Sequence, residues 1–282
     1  FGSSRFGSGG AGGGHGPSGA LGILPAEMTA GSGASAPADA AGHFLEEVLL
    51  EAGAQRLRVR LRELPLADGV RGSTGCQIWP SGPLLAQELL RCPSCLQGRR
   101  VVDLGTGCGL LGIVAARFAR TTILTDGDEE ALRNSQHNLQ ANEEHWRPRE
   151  GELPREAYTK VVQWEDVAAW PEEDRADVIV ASDIFYYLCG RVVARAMLNM
   201  LASGGLVLVS SSDDRNISFG EFKDHMLEAG YGVVETRLRQ ACGGFRVYEC
   251  RQGPPGQPGQ HLVREAGGPG PLLGAAPEEA AP

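Results

Sequence analysis

Residues 101–109 read Val-Val-Asp-Leu-Gly-Thr-Gly-Cys-Gly, and Asp126 closes the apolar run that follows. Gly105, Gly107 and Gly109 make a turn with no side chains in the way, so a ligand can approach the backbone closely. Val101 and Val102 lead into the turn as a short buried strand would. Leu110, Leu111, Ile113, Val114, Ala115 and Ala116 leave it at helical spacing. The next strand, Thr121 to Thr125, delivers Asp126 about twenty residues later, where a carboxylate can accept hydrogen bonds from both hydroxyls of a ribose. The chemistry implied is the binding of a nucleoside-containing cofactor.

The glycine spacing narrows the choice. A dinucleotide fingerprint is G-x-G-x-x-G, whereas Gly105 opens G-x-G-x-G and Leu110 stands at the third glycine's place. Asp103, two residues before the turn, repels a pyrophosphate and suits a ligand with a cationic amino-acid end. A nicotinamide-dependent oxidoreductase is disfavoured on both counts. The pattern Asp-x-Gly-x-Gly-x-Gly resembles motif I of class I methyltransferases, which use S-adenosyl-L-methionine.

These residues need a scaffold. Residues 1–40 hold twelve glycines, and residues 252–282 are rich in Pro and Gly; neither segment buries enough apolar surface to fold, so both read as disordered tails. The chain starts at Phe1, as a fragment or a gene-model start would. Between the tails, residues 41–251 form one domain. Residues 43–52 read as a short helix. Residues 56–64 alternate Leu57, Val59, Leu61 against Arg58, Arg60, Arg62, a half-buried strand at an edge or in a hairpin with a solvated Arg face. Helices follow at 82–91, 109–119, 128–142, 188–201 and 217–229, and strands at 100–104, 121–125, 159–164, 177–182, 205–211, 231–238 and 244–250. Strands alternating with helices predict an α/β fold whose mostly parallel sheet is covered on both faces. The last two strands predict an antiparallel hairpin.

Composition excludes several classes. Net charge is −9, which disfavours a nucleic-acid partner. No run approaches the ~18 apolar residues of a membrane span, and no signal segment opens the chain. The seven cysteines, an odd number, suit reduced thiols in the cytoplasm or nucleus. Cys92-Pro-Ser-Cys95 has metal or redox spacing but no second pair, and reads as a helix-to-strand loop. His137, His145 and His225 lack partners at ligand spacing, so no metal site is expected.

Ligands of such sheets bind beyond the carboxyl ends of the strands. Those ends carry Asp103, Asp126, Trp164-Glu165-Asp166, Ser182-Asp183 and the segment Ser210 to Asp214. Trp164 offers a flat face to an adenine ring. Asp183-Ile-Phe-Tyr186 resembles the Asp-x-x-Tyr signature of methyltransferase family 16, the methyltransferase-like protein-lysine methyltransferases related to the calmodulin-lysine and elongation factor 2-lysine enzymes. The segment Gly72 to Gly82 with Trp79, the stretch Thr125-Asp126-Gly127, and Val161-Val162-Gln163-Trp164 resemble that group in register. The resemblance implies a Rossmann-like, seven-stranded sheet with an N-terminal strand or hairpin extension. It implies that Trp79, Gly105, Thr106, Gly107, Asp126, Trp164 and Ser182 line the cofactor site, and that Asp183 and Tyr186 face the acceptor.

Methyl transfer from a sulfonium is an in-line displacement in which the protein supplies orientation and excludes water. A lysine amine, with a reference pKa of about 10.4, must first lose a proton. Asp183 would steer the lysine through a charge-assisted hydrogen bond, and Tyr186, with Phe185 or Tyr187, would wall the slot. The expectation is a monomeric cytoplasmic methyltransferase acting on a protein lysine. A small-molecule, RNA or other protein acceptor, and a non-catalytic binding module, are the alternatives.

Overall fold

The computed structural model describes residues 44–64, 73–148, 150–185, 190–240, 243–254, 259–266 and 273. The expected tail 1–40 therefore lies outside the described residues. The chain opens with strands β1 (Phe44–Ala52) and β2 (Gln55–Glu63), antiparallel along their whole length. The expected helix at 43–52 is thus a strand. Its glutamates pair across the hairpin with the arginines of β2, as Glu51 does with Arg56 at 2.9 Å and Glu47 with Arg58 at 3.3 Å. Cross-strand partners decide the structure here, and local helix propensity yields to them.

The remaining elements follow the expected order. They are α1 (Ser81–Arg91), β3 (Arg100–Leu104), α2 (Leu110–Ala116), β4 (Thr121–Asp126), α3 (Glu129–Ala141), a short α4 (Glu143–Trp146), β5 (Glu156–Val161), β6 (Ala176–Ser182), α5 (Gly190–Met200), β7 (Leu201–Ser212), α6 (Phe219–Glu228), β8 (Tyr231–Gln240) and β9 (Gly243–Gln252). β5 starts three residues earlier than expected, and Trp164 leaves the strand to begin a 3₁₀ turn, Trp164–Ala169.

A further strand, β10 (His261–Glu265), runs parallel to β8, where the sequence reading has a disordered tail. Pro and Gly around it mask a five-residue extended stretch. The edge of β8 supplies its hydrogen-bonding partner, and His261 Nε2 lies 3.1 Å from the buried Glu235 carboxylate. The sheet therefore has eight strands in the order β10-β8-β9-β7-β6-β3-β4-β5. β9 runs antiparallel to both β7 and β8, and the other neighbours are parallel.

Alternate residues of each strand feed two cores. Val101, Val178, Val180, Leu206 and Leu208 pack with α1, α2 and the hairpin. Val102, Leu104, Ile179, Ala181, Val207 and Val209 pack with α5 and α6. The chain winds outward from β3 to β5, then returns to β6 on the other side of β3. The switch point falls between β3 and β6, where open α/β sheets bind ligands. Among the described residues, no helix is long and apolar enough to cross a membrane.

The hairpin is joined to the domain by three asparagines spaced one turn apart, Asn134 and Asn138 on α3 and Asn142 at its C-cap. Asn142 Oδ1 accepts from Arg60 N at 2.9 Å, and its amide donates to Arg60 O at 2.7 Å. Asn138 repeats this on Arg62, at 2.8 and 3.1 Å, and also donates to Cys108 O at 2.9 Å. Asn134 donates to Arg62 O and accepts from Arg62 Nε, both at 2.8 Å. Side-chain amides thus take the place of a neighbouring strand along β2 and satisfy backbone groups that an edge would expose. Arg58 and Arg60 match the expected solvated face, their side chains exposed, whereas Arg62 is drawn onto Asn134.

Asn138→Ala removes the partner of Arg62 N and of the Cys108 carbonyl, while Arg62 O keeps its bond from Asn134, and should cost about 1–3 kcal/mol in urea unfolding. Truncating exposed Glu47 to Ala should cost under about 1 kcal/mol.

Candidate active site

The turn after β3 is held from beneath. Asp103 is 1% exposed, and its Oδ2 accepts from Thr106 Oγ1 at 2.6 Å and from Gly112 N at 2.8 Å. Thr106 N donates to Thr125 O, and Thr125 Oγ1 donates to Asp103 O, so the turn is tied to β4. Burial raises the Asp103 carboxyl to about 7, against the two donors that lower it. Asp103 and the buried Thr106 thus support the turn from within. The expectation that Asp103 meets a ligand's cationic end is corrected: its carboxylate is spent on the loop it precedes.

Gly105 and Gly107 adopt φ of +69° and +53°, a region that disfavours side chains. A Cβ on Gly107 would lie 2.8 Å from the carbonyl oxygen of Gly75, and one on Gly105 would lie 3.0 Å from the Trp164 ring. The glycines therefore admit two neighbours at van der Waals contact. Trp164 lies across the turn beside Ile184, and its Nε1 is buried with no hydrogen-bond partner among the described residues.

Asp126 stands at the end of β4, partly exposed. Its Oδ2 accepts from Gly107 N at 3.1 Å and its Oδ1 from Asp128 N at 3.0 Å. Burial raises its pKa, and those two donors oppose the shift. Gln163 Nε2 donates to Gly127 O at 2.8 Å, which fixes the approach to Trp164. Asp126, Gly105, Gly107 and Trp164 are thereby gathered at one strand-end rim.

The segment Gly75 to Trp79 crosses this mouth from the glycine turn toward β7. Glu63 Oε1 accepts from Ile78 N at 2.5 Å, and burial raises the Glu63 pKa. Trp79 ends the segment with the guanidinium carbon of Arg215 3.3 Å from its ring centroid. Ser182 sits at the end of β6 against Gly82 in the first turn of α1, its Oγ 3.5 Å from where a Gly82 Cβ would lie.

Asp183 is 2% exposed and takes φ +52°, in the left-handed region. Its Oδ2 accepts from Ser81 N at 3.1 Å, and its Oδ1 accepts from both Ser212 N and Ser212 Oγ at 2.9 Å. The carboxylate clasps the start of α1 to the end of β7. The expectation that Asp183 steers an acceptor lysine is corrected on this point, because its oxygens are engaged inside the fold. Phe185 is also no acceptor wall; it is fully buried against Phe219, Phe222 and Tyr248. Tyr186 and Tyr187 lie outside the described residues.

Sequence reasoning placed Ser210 to Asp214 at a strand end without giving the buried hydroxyls Ser210, Ser211 and Ser212 a role, and it gave none to Ser81 or Arg215. Three consecutive serines at the end of an apolar strand were the available signal, since buried polar groups need partners. Among the described thiols, burial pushes Cys76 and Cys95 up to about 12. Cys92 and Cys95 flank a 3₁₀ turn between α1 and β3, as the loop reading expects.

A family model described as lysine methyltransferase matches residues 60–226. The chain belongs to this family. Among relatives of the family member, the protein-lysine N-methyltransferase EFM3 of Chaetomium thermophilum is 32% identical over 96 residues, 33% of this chain and 29% of that protein. Methyltransferase-like protein 22 of Mus musculus is 32% identical over 137 residues, 43% of this chain and 33% of that protein. The chain thus spans about a third of the length of these relatives. In fold it resembles the T. thermophilus 16S rRNA methyltransferase RsmC, solved in complex with AdoMet and guanosine. The TM-score is 0.50 at 19% identity, covering 74% of this chain and 51% of that one. The class I methyltransferase architecture expected from the strand order is the one observed, with β10 added to its seven strands.

Two outcomes follow for this lysine methyltransferase family member. Asp183→Asn turns an amide N–H toward the Ser81 or Ser212 donors and should cost about 2–4 kcal/mol in chemical denaturation. Exposed Asp214→Asn should stay within about 0.5 kcal/mol. Asp103 ionises near 3.8 unfolded and about 7 folded. Between those values the folded state holds a proton that the unfolded state has lost, so stability falls as pH rises through the window. Asp103→Asn should flatten that slope when unfolding is measured at both ends of it.

Proposed function

We propose that this chain transfers a methyl group from S-adenosyl-L-methionine to a lysine side chain of a protein. The observation that carries the reading is the rim formed by Asp126, the open glycine turn and Trp164. A carboxylate there suits ribose hydroxyls, the missing Cβ atoms leave the backbone open, and the indole face with its unpartnered N–H suits an adenine. The buried, unpaired Trp164 Nε1 is the feature that most calls for a ligand acceptor. Family membership and relatives named as protein-lysine methyltransferases support the acceptor class.

When bound, the cofactor supplies a methyl carbon activated by a sulfonium sulfur. The chain's own residues do the rest. Asp126 would hold the ribose end, and Gly105 and Gly107 would let the ligand lie against the turn. Trp79 and Ser182 flank the β6 side, where the acceptor must approach. Asp183 acts there at one remove, by fixing the start of α1 and the end of β7. The acceptor Nζ must arrive with a free lone pair. Loss of its proton to water before the mouth closes suffices, so no dedicated base is invoked. Net negative charge supports a basic protein segment over RNA. Buried, protonated thiols support a reducing compartment such as the cytoplasm.

Methyl-labelled cofactor added to a cell protein extract tests the reading. The wild-type chain should label a discrete, lysine-stable band. Asp126→Ala should abolish the label and weaken cofactor binding by about tenfold or more in calorimetry, the loss of one or two charged hydrogen bonds. Measurable cofactor binding with no label in any protein would sink the lysine acceptor.

A further inference from the structure

Arg215 stacks on Trp79, a residue the family resemblance assigns to the cofactor site. The 3.3 Å separation lies well inside the range, up to about 6 Å, over which a cation is attracted by an aromatic face. Both residues are placed by the same buried carboxylate. Ser81, two residues after Trp79, donates to Asp183 Oδ2, and Ser212, three residues before Arg215, donates twice to Asp183 Oδ1. The 3₁₀ turn that carries Arg215, Asp213–Arg215, is pinned again by Arg246, whose Nε lies 2.7 Å from Asp213 Oδ1. The indole face is therefore presented by the backbone clasp, independently of what covers it.

That face lies at the mouth of the site, between the start of α1 and the end of β7. A ring quadrupole attracts positive charge and is indifferent to a neutral group of the same shape. We propose that Arg215 is an internal cation that occupies the Trp79 face until an organic cation carried by a ligand displaces it. The ligand's identity rests on the methyl-transfer reading; the cation preference rests on the stack alone. That reaction brings two organic cations, the cofactor's sulfonium and an acceptor ammonium. Either one must displace Arg215 to use the face. An internal competitor of ordinary cation–π strength weakens its rival by about 2- to 30-fold.

The test uses the full chain, with Arg215→Met removing the charge at similar length and Arg215→Lys keeping it. Melting temperatures confirm that both variants fold. Calorimetry reads S-adenosylmethionine against neutral S-adenosylhomocysteine. Titration with n-butylammonium, followed through the Trp79 indole N–H resonance, reads a bare ammonium. If the sulfonium takes the face, Arg215→Met tightens S-adenosylmethionine by about 2- to 30-fold and leaves S-adenosylhomocysteine unchanged. If the acceptor takes it, both cofactor affinities hold and n-butylammonium tightens by a similar factor. In either case Arg215→Lys stays near wild type. Unchanged affinities for all three probes, or weaker binding in Arg215→Met, overturns the proposal. A wild-type chain that binds neither cofactor form defeats the methyl-transfer reading, and the n-butylammonium arm still decides the Trp79 site.

Discussion

A carboxylate at 2% exposure in a left-handed backbone conformation is an unstable thing to build, and this fold is arranged around one. Uncompensated, a buried charge costs several kcal/mol, and the positive φ adds about 1–3 kcal/mol. Asp183 is tolerated because three donors converge on it. One comes from the first turn of α1, where the helix dipole also favours negative charge, and two come from Ser212 at the end of β7. Ser210 extends the link by donating to Ser81 O at 2.9 Å. The end of β6, the end of β7 and the start of α1 therefore cannot move independently. Strain of this kind persists only where surrounding structure over-determines it, which suits a site whose two walls must keep their spacing.

A second buried carboxylate does the matching work on the other side of the switch point. Asp103 ties the glycine turn to α2 through Gly112 N and to its own loop through Thr106. The two acids divide the labour: Asp103 shapes the floor against β4, and Asp183 shapes the wall against β7. Asp126 differs from both in keeping an exposed edge. Its two backbone donors orient it while it stays partly exposed, so its remaining lone pairs are open to a ligand. Burial therefore separates the three carboxylates by role better than their shared position at strand ends does.

That division explains what the sequence could and could not reveal. Period and spacing located the strand-turn-helix at Val101 to Ala116 and the acid at Asp126, because both are local patterns. The order of strands followed from the alternation of apolar runs. Burial is not local. Asp103 and Asp183 look like ligand-facing acids when only their strand ends are known, and become supports once Gly112, Ser81 and Ser212 are brought against them. The hairpin was half legible: Leu57, Val59 and Leu61 announce β2, but β1 is a strand only because β2 lies beside it. The asparagine ladder on α3 and its C-cap was legible as spacing, at 134, 138 and 142, yet its meaning depends on an edge strand that the pattern alone does not place.

The ladder also reaches the site. Asn138 bonds both Arg62 in the hairpin and the carbonyl of Cys108 inside the glycine turn. At its far end the hairpin holds Ile78 through Glu63, one residue before Trp79. The same N-terminal extension thus touches the floor of the site through α3 and its roof through the segment that carries Trp79. β10 itself adds to the edge of β8, several strands away from the switch point. An insertion or a change of partner at the C-terminal edge can therefore leave the site intact, whereas a shift of the hairpin must displace the glycine turn or the Trp79 segment. The β1–β2 hairpin is best regarded as part of the site's frame, and the edge beyond β8 as the part of the fold free to vary.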